Sequence, residues 1–125
     1  MLDKARMFGS FSVNDLEKAR EFYGETLGVP VETEDGMPVL NVGAEGGTMI
    51  YEKPDHAPAT FTVLNFRVDD LESTMKELKS RGVRFEIYDM EDLKTDADGV
   101  LTHGEMSIAW FKDPAGNILS VLEEK

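Results

Sequence analysis

The chain has 125 residues, of which 41% are hydrophobic and 30% charged, a composition suited to one compact domain or to two small halves sharing a core. It contains no cysteine, which excludes a disulfide framework, a thiolate metal site and a thiol nucleophile. The net charge of −12 repels phosphate backbones and anionic headgroups, so the sequence predicts neither a nucleic-acid nor a membrane partner. No long apolar run follows the N-terminal Met1-Leu2-Asp3-Lys4-Ala5-Arg6, so neither a signal peptide nor a membrane span is predicted, and a cytoplasmic location fits.

Taken in order, residues 5–13 read as a strand, with Phe11 and Val13 alternating with Ser10 and Ser12. Asn14 is placed to cap a helix, and Glu17 three residues on suggests a capping box. The helix is predicted to reach Leu27, with Leu16, Ala19, Phe22, Tyr23 and Leu27 on one face and Gly28 as its stop. Three short strands are predicted next, at 29–34, 39–42 and 48–52. They turn at Glu34-Asp35-Gly36 and at Ala44-Glu45-Gly46-Gly47.

Residues 54–59, punctuated by Pro54 and Pro58, read as a linker between a first unit, 1–53, and a second, 60–125, within one domain. The division rests on a repeat. Phe11-Ser12-Val13-Asn14-Asp15-Leu16-Glu17 returns 55 residues later as Phe66-Arg67-Val68-Asp69-Asp70-Leu71-Glu72, with five of seven positions identical.

In the second unit, 60–68 reads as a strand. Asp69 is placed as cap, and Leu71, Met75 and Leu78 form the apolar helix face before Gly82. A strand is predicted at 83–88, followed by an acidic loop or lid at 89–99. Strands at 100–111 and 117–122 close the unit through the turn Asp113-Pro114-Ala115-Gly116. The fold class is therefore α+β, two tandem βαβββ units.

The only histidines are His56, in the linker and expected to be exposed, and His103. His103 and Glu105 stand two apart on a predicted strand and so share a face, either as an acid–base pair, as half of a metal site, or as a solvated polar edge. Asp15 and Asp70 read as carboxylates favoured at helix N-termini. Met7, Met49 and Met106 read as core filler or as an adaptable apolar lining.

Val13-Asn14-Asp15-Leu16, the helix carrying Phe22-Tyr23 before Leu27-Gly28, and the closing Trp110-Phe111-Lys112-Asp113-Pro114-Ala115-Gly116-Asn117 resemble the vicinal-oxygen-chelate superfamily. That superfamily includes glyoxalase I, extradiol dioxygenases, fosfomycin-resistance proteins and bleomycin-binding proteins. The resemblance spans nearly the whole chain. It implies an eight-stranded curved mixed sheet around a cup, and a homodimer.

The resemblance also implies four metal-ligand positions, one on the first and one on the last strand of each unit. Here they fall on Phe8, Tyr51, Val63 and Ser120, Tyr51 being reached by aligning Gly47 with Gly116. Two of these are hydrocarbon side chains, so no metal and no cofactor is predicted. The same four positions together with Trp110 become candidates for lining a cup that holds a small apolar or aromatic molecule, by binding or sequestration. Two alternatives stand beside that reading. One is a metal-dependent lyase or dioxygenase with a site relocated to His103 and Glu105. The other is a non-catalytic interaction module.

Overall fold

A computed structural model describes residues 1–45 and 47–125; Gly46, in the turn expected at 44–47, lies outside the described residues. The chain divides into two compact units, Met1–Ala57 and Pro58–Lys125. The fold is α+β, with a four-stranded mixed sheet in each unit.

In the first unit, β1 (Gly9–Val13) leads into α1 (Leu16–Glu21), followed by β2 (Val31–Thr33), β3 (Val39–Val42) and β4 (Thr48–Glu52). The sheet order is β1-β4-β3-β2, with β1 and β4 parallel and the other pairs antiparallel. One face is apolar. Phe11, Val13, Leu40, Val42 and Ile50 are buried there, along with Ala19 and Tyr23 from the helical segment. The Phe11 and Tyr23 rings meet with centroids 6.2 Å apart.

Three details differ from the sequence reading. The strand starts at Gly9 rather than residue 5, because pairing with β4 begins at Gly9 opposite Thr48. The helix cap is Asp15, not Asn14. Asp15 is extended, its carboxylate accepts the Lys18 N–H at 3.1 Å, and its carbonyl accepts the first helical bond, from Ala19 N–H. Finally, the α-helix stops at Glu21 and continues as a π-helical segment, Phe22–Thr26, in which Leu27 N–H donates to the Phe22 carbonyl at 2.9 Å. Gly28, at φ +71°, ends it as expected.

In the second unit, β5 (Thr62–Arg67) precedes α2 (Leu71–Ser80). Then come a small hairpin, β6 (Asp89–Met90) and β7 (Leu93–Lys94), and three longer strands, β8 (Val100–His103), β9 (Met106–Lys112) and β10 (Ile118–Glu124). The sheet order β5-β10-β9-β8 repeats that of the first unit, again with the first and last strands parallel.

The cap here is Asp70 rather than Asp69: its carboxylate accepts Ser73 N–H at 3.0 Å and its carbonyl accepts Thr74 N–H. Leu71, Met75 and Leu78 are buried as the periodicity predicts. They share the core with Phe85, Ala109, Phe111, Leu119 and Val121. Phe85 and Phe111 meet nearly edge-on at 5.7 Å.

The strand expected at 83–88 is an extended segment with a single bridge, Phe85 to Phe111. The strand expected at 100–111 is instead a hairpin, β8 and β9, folded at Gly104 with φ +61°. The acidic segment 89–99 is not structureless, since it holds the β6–β7 pair. The Asp113 turn is structural, as expected. One Asp113 oxygen accepts the Ala115 and Asn117 N–H groups and the other accepts the Asn117 side-chain amide, with both residues buried.

Shifting both caps by one residue moves Glu17 and Glu72 out of capping-box reach. The first helical N–H is taken instead by a glutamate of each unit's last strand. Leu16 N–H donates to Glu52 at 2.9 Å and Leu71 N–H to Glu123 at 2.7 Å. Each carboxylate thus meets the positive end of a helix dipole. Among the described residues no helix is long and apolar enough to cross a membrane.

Candidate functional site

Side chains alternate across a strand, so each sheet has a second face opposite its helix-covered one. In the first unit the register places Ser10, Ser12, Met49, Tyr51, Val39 and Asn41 there. In the second it places Thr62, Asn65, Ile108, Trp110 and Ser120 there, while Val63, the extra residue where the β5–β10 register shifts, has no partner.

The second unit's face is built around Trp110, which is 9% exposed. Its indole N–H donates to Thr62 Oγ1 at 3.1 Å. Tyr88 packs edge-on against it, with centroids 5.6 Å apart and planes at 82°. Burial, and secondarily the negative charge of Glu86, pushes the Tyr88 phenol above its ordinary pKa, so it remains a neutral donor well into the alkaline range. Tyr88 is held by Thr95, a buried residue. The Thr95 hydroxyl accepts Tyr88 N–H at 3.0 Å and donates to the Tyr88 carbonyl at 3.3 Å, while Thr95 N–H donates to that carbonyl at 2.9 Å. The sequence pointed to Trp110 but to neither Tyr88 nor Thr95. The two lie seven residues apart across the β6–β7 hairpin, and no sequence period connects them.

Beside Trp110 on the sheet, the fully buried Ser120 donates its hydroxyl to Asn65 Oδ1. With that oxygen engaged, Asn65, an exposed residue, has its amide N–H groups left as its side-chain donors. Asn65 was not among the sequence candidates. Only the parallel pairing of β5 with β10 brings it to Ser120.

In the first unit the register revises one candidate. Phe11 pairs with Ile50, and its repeat partner Phe66 pairs with Val121. The counterpart of Ser120 is therefore Met49, not Tyr51. Aligning Gly47 with Gly116 misses this because Gly47 stands three residues before Ile50, whereas Gly116 stands five before Val121. Phe8 lies ahead of β1 and is 64% exposed. Val63 sits half-buried on β5.

The donor set at these positions does not fit a divalent cation. Phe8 and Val63 offer no lone pair, Met49 offers a thioether, Tyr51 a phenol, and the Ser120 hydroxyl is held by Asn65. Among the described residues no three His, Asp or Glu side chains are grouped to hold a metal ion.

His103 and Glu105 do not share a strand face. His103 ends β8, Glu105 lies in the two-residue turn with Gly104, and both are exposed. His56, expected to be exposed, is half-buried, and its Nδ1 lies 2.7 Å from Ser12 Oγ. A depression of about 850 Å³ beside α2 is lined by charges of both signs, among them Asp70, Lys76, Asp96 and Lys125; Trp110, Tyr88, Asn65 and Ser120 take no part in it.

Several solved structures share this architecture. TnmS3, an antibiotic binding protein from Streptomyces sp. CB03234, aligns over 98% of both chains with 26% identity and a TM-score of 0.70. A glyoxalase/bleomycin resistance protein from the same organism aligns over 92% of this chain and 98% of its own, with 27% identity and a TM-score of 0.63. The glyoxalase family protein from Enterococcus faecalis, at 20% identity, covers 98% of this chain and 100% of its own with a TM-score of 0.70, a likeness of fold. No curated protein matches the sequence. The family profile of the Glyoxalase/Bleomycin resistance protein/Dioxygenase superfamily matches residues 10–121, nearly the whole length, and with the repeated sheet order this makes the chain a member of that superfamily.

Proposed function

We propose that the protein binds and sequesters a small, flat, apolar or aromatic molecule beside Trp110 on the second unit's sheet face opposite α2. The observation that carries this reading is the fixed aromatic pair. Trp110 is held by Thr62 and Tyr88, and Tyr88 in turn by Thr95, so the rings lose little freedom when a planar ligand packs beside them. Asn65 supplies an amide donor for a ligand oxygen. The donor set at the metal positions favours binding over metal-assisted chemistry. The antibiotic binding protein and the bleomycin resistance protein similar to this chain support the same class of role. On this reading the ligand class extends to aromatic antibiotics, and the protein works as a cytoplasmic homodimer without nucleic-acid or membrane partners. Sedimentation of the purified protein checks the dimer.

The sole tryptophan makes the test direct. Fluorescence and thermal stability are followed across a panel of aromatic antibiotics and planar metabolites. A true ligand at 100 times its Kd adds about 2.7 kcal/mol of stability, shifts the emission, and loses both effects with Trp110→Ala. Unchanged signals across the panel would turn the assignment toward the interaction-module reading. The relocated-metal alternative is not favoured by any observation, since His103 and Glu105 stand in an exposed turn.

A further inference from the structure

The first unit carries a different arrangement, which the binding reading does not use. Ser12 lies on β1, on the face opposite α1. Its Oγ is 2.7 Å from Nδ1 of His56, 44 residues away in sequence. His56 is brought there by a tight return. Lys53 N–H donates to the Val13 carbonyl at 3.0 Å, continuing the β1–β4 pairing, and His56 N–H donates to the Lys53 carbonyl at 3.0 Å, closing a turn. Both side chains are half-buried, so they are held by the fold yet reachable by a small molecule. A hydroxyl and an imidazole within 2.6–3.2 Å are the core of an activated nucleophile.

The surroundings suggest a substrate class. Tyr51 is the register partner of Ser12 on β4, and Val39 is that of Tyr51 on β3, so a phenol and an apolar side chain share the face with Ser12. Met49 lies on the same face.

We propose that Ser12 and His56 form a nucleophile–base pair that accepts the acyl group of small aryl or short-chain carboxylic esters. The His56 tautomer carrying its proton on Nε2 takes the Ser12 hydroxyl proton at Nδ1 as Oγ bonds to the ester carbonyl carbon. The tetrahedral adduct collapses with cleavage of the carbon–oxygen bond to the alcohol, and His56 returns the proton to the departing oxygen. Water, deprotonated by the same imidazole, then cleaves the acyl–Ser12 bond and regenerates the serine.

The test uses the full-length protein and a fluorophosphonate probe, which forms an Oγ–phosphorus bond with loss of fluoride. The adduct is located by peptide mass mapping, and p-nitrophenyl acetate hydrolysis is followed in parallel. Labelling is expected at Ser12 and is lost in Ser12→Ala. His56→Ala slows it on the order of 10²-fold, as removal of a general base does. His56→Gln, which can hydrogen-bond the hydroxyl but cannot take its proton, slows it equally. Thermal unfolding of each variant confirms that it is folded. No adduct, adducts spread over Ser10 and Ser107, or a rate indifferent to both His56 variants would overturn the proposal. The readout is a covalent bond at Ser12, so it succeeds or fails independently of ligand effects on Trp110.

Discussion

The two units share one plan and differ where function is to be sought. Both order their strands first, fourth, third, second. Both cap the helix with the aspartate of the repeat, and both lend a glutamate of the last strand to the first helical N–H. Glu52 stands 24 residues after Gly28 in the first unit, whereas Glu123 stands 41 residues after Gly82 in the second. The extra length holds the β6–β7 hairpin, whose base is tied through Thr95 to Tyr88 and so to Trp110. Among the described residues the first unit shows no such hairpin. Its polar pair, Ser12 and His56, comes from the first strand and the segment after the last. The helix-covered faces therefore follow the repeat, because both must bury the same amphipathic helix. The faces opposite the helices carry no such requirement and differ between the units.

If that distinction holds, core substitutions should cost alike in the two units. Leu40 and Leu119 are both buried to within 1% of full burial, and Leu40→Ala and Leu119→Ala should each lose about 2–5 kcal/mol in urea unfolding. A loss below that range in one unit alone would break the equivalence.

The insertion gives a sharper contrast. Gly99, at φ +91°, closes the extra segment, and a Cβ there would lie 2.9 Å from the Glu86 backbone carbonyl. Gly36, at φ +74° in the first unit, has nothing within 4 Å of such a Cβ. Gly36→Ala should cost about 1–2 kcal/mol from backbone conformation alone, with Gly99→Ala costing clearly more. Equal losses would mean that the insertion shifts freely to relieve the clash.

The caps come next. Asp15→Ala and Asp70→Ala should each cost about 1 kcal/mol, while Asn14→Ala and Asp69→Ala should cost less, since they do not hold the cap position. The smallest effect concerns pH. The Tyr88 phenol has a raised pKa when folded, so its contribution is fully present below the ordinary tyrosine range. It is lost as pH rises through the folded value. Stability should fall above about pH 10, and Tyr88→Phe should reduce that fall, as read by unfolding at pH 9 and pH 11.

What the sequence determined was the material governed by local pattern. Alternation at Phe11 and Val13, the helical spacing of Leu71, Met75 and Leu78, the stops at Gly28 and Gly82, and the Asp113 turn all depend on neighbours within a few residues. The repeat then carried this local pattern to a two-unit fold. What only tertiary structure decided was every contact made across strands. The one-residue choice of Asp15 over Asn14 depends on where β1 ends against β4. The counterpart of Ser120 is Met49 because strand register, not glycine spacing, aligns the units. Asn65 reaches Ser120, His56 reaches Ser12, and Thr95 reaches Tyr88 through pairings that lie 55, 44 and 7 residues apart. Such contacts are fixed by backbone hydrogen bonding between distant segments and leave no period in the chain for a reader to find.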